Sequence, residues 1–242
     1  MDVNLNKDSA KAYNNISFQN FHFSLLKQEH FNQAKECLAR VFCTDGAMLK
    51  HLQVQQNDLN EFLDGLLNHA IPQQLSWIAV DKSTQKIVAV RVLTDFYDNY
   101  LPQSPLTKEL TIIKDLITTL YDIESEELNV QKNTLLHTWM TAVEKDYQKK
   151  GLLKSLYMLG SNRAKSLGFT SCIGEASNIH NLNFLKKYTK INQLNSIIYK
   201  NYQYNEIFPF ADMQEHVECV HYKYPLQFYP EAEEYSSIYS KI

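Results

Sequence analysis

The residues best suited to chemistry in this 242-residue chain lie between Thr138 and Lys154, in the run TWMTAVEKDYQKKGLLK. An apolar stretch ends at Val143. A polar turn follows, and Gln148-Lys149-Lys150-Gly151 leads into a second apolar-periodic segment. A turn at a helix N-terminus presents free backbone N–H groups and the positive end of the helix dipole, which together make an anion site. Lys149, Lys150 and Lys154 add positive charge there, and Gly151 lets the backbone come close to a ligand. A pyrophosphate suits that design, although an ordinary strand–turn–helix with solvated lysines gives the same pattern. His137 lies six residues before Val143, with Trp139 close behind it. An imidazole can accept a proton near neutral pH; a lone strand histidine is also a common core residue.

Other chemistries lack their signatures. The six glycines include no pair spaced for G-x-G-x-x-G or for a P-loop. G-x-S-x-G and H-E-x-x-H are absent as well. The four cysteines, Cys37, Cys43, Cys172 and Cys219, form no C-x-x-C, so neither a metal site nor a redox pair is expected. Scattered thiols of this kind point to free buried cysteines and a cytoplasmic protein. The sequon Asn15-Ile16-Ser17 would carry no meaning in that setting. A formal charge of −3 argues against a nucleic-acid binder working through one basic surface. No run approaches the roughly 18 apolar residues of a membrane span, and the polar start of the chain has no signal-peptide core. At 44% hydrophobic, a chain this long can bury a core without cross-links.

The elements that must position these groups follow from periodicity. Residues 16–26 are rich in β-formers and read as a first strand. Phe31, Ala34, Leu38, Val41 and Phe42 recur at helical spacing over 29–42, and Cys43-Thr44-Asp45-Gly46 is expected to break that helix. A second helix is expected over 58–70, closed by Pro72. Segments 75–80 and 86–96 form a hairpin. A third helix carries Leu110, Ile113, Leu116, Ile117 and Leu120, and the acidic run 122–127 after it reads as a solvated loop. Strand 135–143, a helix from Gly151 to Gly168, strand 170–175, helix 179–188 and strands 196–204 and 217–224 complete the order. With no linker or internal repeat, this predicts a single α/β domain with a mixed sheet and polar tails. Alternation along the fourth strand puts His137, Trp139 and Thr141 on one face and Met140 and Ala142 on the other.

The segment V-x-x-x-Y-Q-x-x-G-L-L at 143–153 resembles the acetyl-CoA-binding motif of the GNAT superfamily of N-acetyltransferases, written Q/R-x-x-G-x-G/A; Leu153 stands where Gly or Ala is usual. The order of elements is the GNAT order. Within the superfamily the chain resembles the arylalkylamine N-acetyltransferase branch. The residues carrying this are the extra helix before the fourth strand, Glu175-Ala176-Ser177-Asn178-x-x-Asn181, and Ile198-Tyr199-x-Asn201-Tyr202 with Pro209-Phe210. The resemblance spans about 18–226, the core of the domain.

The resemblance implies a mostly antiparallel central sheet flanked by helices and splayed between the fourth and fifth strands. Gln148, Lys149, Lys150, Gly151, Leu152, Leu153 and Lys154 would hold the pyrophosphate. Thr141, Ala142 and Val143 would pair with the pantetheine arm like an added strand, with Asn178 and Asn181 supporting it. An acceptor amine has a pKa near 10, like lysine, so a base must deprotonate it before it attacks the thioester. His137 matches the first histidine of a His-x-His that carries protons in vertebrate-like members, and Trp139, at the second, would form an aromatic wall for the substrate. Asp45 stands where insect-like members carry a catalytic Glu, Ser177 where they carry the first of two serines. Tyr188 is a candidate acid in an alternative register of the superfamily tyrosine. The function implied is direct acetyl transfer from acetyl-CoA to a small primary amine, an arylalkylamine among the options, with no metal, nucleic acid or membrane. A CoA-binding sensor and a protein or peptide N-acetyltransferase stay open as alternatives. The acceptor and the oligomeric state are not legible in the sequence.

Overall fold

A computed structural model describes residues 15–18, 20–98, 100–102, 105–122 and 130–232. Among the described residues the strands are β1 (Asn15–Phe18), β2 (Phe21–Leu25), β3 (Trp77–Asp81), β4 (Ile87–Asp95), β5 (Leu135–Val143), β6 (Ser171–Ala176), β7 (Asn192–Ile198) and β8 (Glu218–Pro225). They form one mixed sheet in the order β1-β2-β3-β4-β5-β6-β8-β7. Only the β5–β6 pair is parallel; every other pair is antiparallel. The helices named among the described residues are α1 (Phe31–Asp45), α2 (Ala47–His51), α3 (Asn60–Ala70), α4 (Lys108–Asp122), α5 (Leu152–Ser166) and α6 (Ile179–Tyr188). This is the sheet with flanking helices that the element order implied.

Each face of the sheet buries a separate core. Val90, Val92, Met140 and Ala142 pack against α1 and α3 on one face, among Cys37, Leu38, Leu63 and Leu67. On the other face, Phe23, Trp77 and Ala89 pack against Leu152, Leu156 and Leu159 of α5. The α5 helix is buried nearly all round, since its next turns also contact Leu136 and Cys172. Gly168, at φ +100, ends the helical segment in the left-handed conformation that glycine adopts without strain.

Four boundaries differ from expectation. The first strand is two, because the chain reverses at Asn20 and Phe18 pairs with Phe21. The first helix does not break at Cys43 but runs to Asp45. The Gly46 N–H still bonds Phe42 O at 3.0 Å, and the Thr44 hydroxyl bonds Arg40 O at 3.0 Å. The short α2 was not anticipated. The segment expected as strand 196–204 is strand only to Ile198. Its tyrosines anchor instead: Tyr199 donates to Ser177 O at 2.7 Å and Tyr202 to Asp115 Oδ2 at 2.6 Å, so aromatic β-formers here serve packing. Most of the acidic run, residues 123–127, lies outside the described residues, as do the ends of both tails.

Candidate active site

Two irregularities in β5 create the site. The strand pairs with β6 only from Leu135–Ser171 to Thr138–Gly174. Beyond Thr138 the two strands part, and the edge of Trp139–Val143 is open on that side. An open edge presents unpaired N–H and C=O groups that an extended ligand can pair with. On its other side β5 carries a β-bulge: Val92 pairs with Met140 but Leu93 with Thr138, so Trp139 is the extra residue.

The bulge corrects the expected faces. His137 and Trp139 lie with Met140 and Ala142 on the α1–α3 face, where Trp139 packs against the core of that face. Thr141 and Thr138 lie on the α5 face, opposite His137; Thr141 pairs with Arg91, and Arg91 bonds the Thr138 hydroxyl. An inserted residue resets the period of two.

On the α1–α3 face, at the apex of the splay, four ionisable side chains meet. His137, 4% exposed, stands 3.7 Å from Glu175 Oε1 through its Nε2, too far for a hydrogen bond. The Tyr121 hydroxyl of α4 lies between them. It donates to Glu175 Oε1 and lies 3.4 Å from His137 Nε2. Since its one proton goes to Glu175, its oxygen can only accept, which assigns His137 the Nε2–H tautomer. The Nδ1 lone pair of His137 is then buried without a partner. Burial alone would push the Glu175 carboxyl up, but the His137 ring beside it, the hydrogen bond from Tyr121 and the nearby His221 outweigh it and hold it below its ordinary 4.5. Burial, with Glu175 beside it, pushes the Tyr121 phenol well up, so it stays a donor. Aromatic rings wall the group. Trp139 lies 4.7 Å from the His137 ring, Phe96 5.5 Å, and Trp139 Nε1 is fixed by Thr94 Oγ1 at 3.0 Å.

The other end of the open edge is the turn at 144–151. Glu144 starts it, clamped by Arg40 of α1 at 2.6 Å. Lys149 at φ +61 and Gly151 at φ +84 both adopt left-handed backbone. The first bond of α5 runs from Ser155 N to Gly151 O, so the amides of Leu152, Leu153 and Lys154 precede the helical ladder. A side chain at Gly151 would meet nothing within 4 Å, which leaves the face of the turn open. Leu153 packs into the core beside Tyr157 rather than over these amides. Lys150 lies 4.7 Å over the Tyr147 ring and Lys154 5.5 Å over Tyr188.

The remaining sequence-selected residues divide between the two ends. Asp45 is helical, exposed, and bound at 3.0 Å by Gln148 Nε2, which also reaches Val143 O at 3.4 Å. That is the turn end, roughly 20 Å of strand from His137 at about 3.3 Å per residue. Asn178 caps α6, its Oδ1 accepting from Asn181 N at 2.8 Å, and Asn181 Oδ1 is buried without a partner. Ser177 stands just before that cap, where β6 has left β5. Tyr188 is at the far end of α6, tilted against Phe184 at 4.8 Å between Lys154 and Lys187, so the structure groups it with the turn and not with His137. Two grooves of about 410 and 640 Å³ lie along β2 and β3, and neither contains a residue of the His137 group.

Sequence reasoning selected neither Glu175 nor Tyr121 for chemistry. The available signal was a lone charge in the otherwise apolar strand SCIGEA. Tyr121 gave none, since it ends a helix that reads as leading into solvent.

Neither a family model nor a curated protein matches the sequence. Solved structures do match its shape. The C-terminal condensation domain of Ebony, in complex with β-alanyl-dopamine, superposes with a TM-score of 0.73 at 16% identity, over 85% of this chain and 98% of that one. Arylalkylamine N-acetyltransferase 2 from Aedes aegypti gives 0.71 at 15% identity, over 86% and 100%. A Drosophila melanogaster polyamine N-acetyltransferase that forms N-acetylagmatine gives 0.67 at 12%, over 84% and 98%. The fold is GNAT-like. At such identities the likeness concerns the fold, and the chemistry rests on this chain's own residues.

Those residues fit a CoA thioester. The fit rests on the open edge of Trp139–Val143, the free amides at the start of α5, and an orphaned buried acceptor, Asn181 Oδ1 on α6. Among the described residues no cluster of His, Cys, Asp and Glu could hold a metal ion.

Proposed function

We propose that this chain is an acetyl-CoA-dependent N-acetyltransferase acting on a small primary amine. The observation that carries the reading is the His137–Tyr121–Glu175 relay at the apex of a strand splay whose far end is the amide-rich Gly151 turn. The amides of Leu152–Lys154, with Lys149, Lys150 and Lys154, bind a pyrophosphate. The open edge of β5 pairs with the amides of the pantetheine arm, and the Asn181 side chain bonds one of its polar groups. His137 Nδ1 takes a proton from the ammonium. Tyr121 and Glu175 hold the ring in its tautomer and stabilise the imidazolium that forms. A backbone N–H of the open edge stabilises the oxyanion. Ser177, at the mouth of the splay, protonates the leaving thiolate, a role the position of Tyr188 beside Lys154 supports less.

The aromatic wall of Phe96, Tyr121 and Trp139 around the base supports an arylalkylamine as acceptor, and the amine acetyltransferases among the structural neighbours support the amine class. We place the protein in the cytosol on its four free thiols. The test is a thiol-release assay with acetyl-CoA over arylalkylamines, polyamines, amino sugars and short peptides, run beside calorimetric binding of acetyl-CoA. Release with one amine class is expected, falling about 100-fold in His137→Gln. Tight binding with no release across the panel would make the chain a CoA sensor instead.

A further inference from the structure

The α5 face of the same apex holds a buried positive charge with no negative partner among the described residues. Arg91, in the middle of β4, is 1% exposed. Its Nη1 donates to the carbonyls of Leu156 and Tyr157 at 3.5 and 3.3 Å, and its Nη2 to Thr138 Oγ1 and Tyr224 OH at 3.1 and 3.2 Å. The guanidinium carbon sits 3.6 Å over the Tyr157 ring. Every one of these acceptors is neutral, and no carboxylate among the described residues pairs with Arg91. Arginine does not shed its proton, and a buried charge without a counter-charge is among the costliest groups a fold can carry.

The position is built for that charge. A Cβ at Gly160 of α5 would stand 3.0 Å from Arg91 Nη1 and 2.9 Å from Leu93 Cδ1, so the helix approaches only because no side chain is there. A Cβ at Gly174 would stand 2.9 Å from the Tyr222 hydroxyl. Four buried polar atoms here lack a partner: Arg91 Nε, Thr141 Oγ1, Tyr157 OH and Tyr222 OH. The Tyr157 hydroxyl lies beside those of Tyr222 and Thr141 without a well-formed hydrogen bond to either. Thr138 is the last residue of β5 paired with β6, and Thr141 is on the open edge, so this group lies under the splay itself.

One guanidinium N–H and three hydroxyls, next to a fixed positive charge, call for an anion that only accepts hydrogen bonds, and a carboxylate is such a group. We propose that the buried Arg91 cluster is a carboxylate subsite for the acyl group, so that the chain takes acyl thioesters ending in a carboxylate, of the malonyl and succinyl class, as well as acetyl. This rests on the reading that a CoA thioester occupies the splay. The amine nitrogen attacks the thioester carbonyl carbon, its proton passing to His137. The new C–N bond forms, the C–S bond breaks, and the thiolate is protonated. The distal carboxylate is unchanged and bound by Arg91. A plain acetyl methyl leaves these donors unpaired.

Two unreactive thioethers test it by calorimetry: S-carboxyethyl-CoA and its neutral counterpart S-propyl-CoA, with CoA alone as reference. The wild-type chain should bind the carboxyethyl compound at least about tenfold more tightly than the propyl one, as a charged hydrogen bond warrants. Arg91→Met should remove that difference. Tyr157→Phe, a milder change, should reduce it. Equal affinities in the wild type overturn the subsite without needing any variant, while CoA binding upholds the reading of the splay. If none of the three compounds binds, the CoA reading falls, and the subsite with it.

Discussion

Replacing Glu175 by Gln keeps the shape of the side chain and removes its charge. In the structure that charge stands 3.7 Å from His137 Nε2, with the Tyr121 hydroxyl bonded to the same oxygen. Once His137 has taken a proton, carboxylate and imidazolium attract by about 4 kcal/mol at an effective dielectric near 20. Both side chains are well buried, so solvent screens little of this. Losing most of it should lower kcat/KM by roughly 100- to 1000-fold. Tyr121→Phe removes one hydrogen bond to a charged group, worth about 1.5–3 kcal/mol, and should cost about 10- to 100-fold. Because the two groups act through one contact, the double variant should be little worse than Glu175→Gln alone. The assay is thiol release at saturating acetyl-CoA and varied amine, with circular dichroism confirming the fold. A folded Glu175→Gln protein retaining more than about a third of wild-type kcat/KM would refute the relay, since that loss is under about 1 kcal/mol.

Other consequences can be measured separately. Gly151→Pro asks a residue at φ +84 to adopt about −65° and deletes an amide, so acetyl-CoA affinity should fall at least about tenfold; an unchanged Kd would move the anion site elsewhere. Leu156→Ala empties a fully buried position among Phe23, Trp77 and Ala89 and should destabilise by about 2–5 kcal/mol, so an unaltered Tm would contradict the packing of α5. Asp45→Asn disturbs only the contact with Gln148 and should change kcat/KM by less than about threefold, against about 100-fold for His137→Gln; the reverse ranking would hand the base role to Asp45. The Glu175 carboxyl is held below its ordinary 4.5, so its contribution to stability is complete above that pH and is lost as pH falls through its lower folded value. Urea midpoints from roughly pH 7 down to 3 should therefore fall less steeply in Glu175→Gln than in the wild type, and parallel curves would count against the lowered carboxyl.

The fold was legible because its longest elements carry strong periodic signals. Strand 135–143 and helix 179–188 fall where alternation and spacing put them, and the turn between strand and helix announces itself through Lys149, Lys150 and Gly151. Half of the site was legible for the same reason, since His137 and Trp139 share a strand with that turn. The rest depended on contacts that no local pattern encodes. Glu175 arrives from a parallel strand 38 positions on, and Tyr121 from the last turn of a helix whose sequence points only to a solvated loop.

The face of β5 shows how narrow the margin is. Alternation through an uninterrupted strand places Thr141 beside His137, on a single wall of one acceptor pocket. A single extra residue opposite the Val92–Leu93 step moves Thr141 to the α5 face and leaves His137 and Trp139 on the other. The apex is thereby divided. On one face stands His137 with its Nδ1 lone pair free and Glu175 behind it; on the other, Arg91 among unpaired hydroxyls. A proton acceptor and an uncompensated cation cannot serve one pocket well, because the cation would oppose formation of the imidazolium. Separated by the thickness of the sheet, the two groups suit the roles we propose, His137 taking the proton of an amine and Arg91 binding an acyl group that enters from the opposite side. The bulge at Trp139 is thus what lets a single strand present both chemistries at one apex.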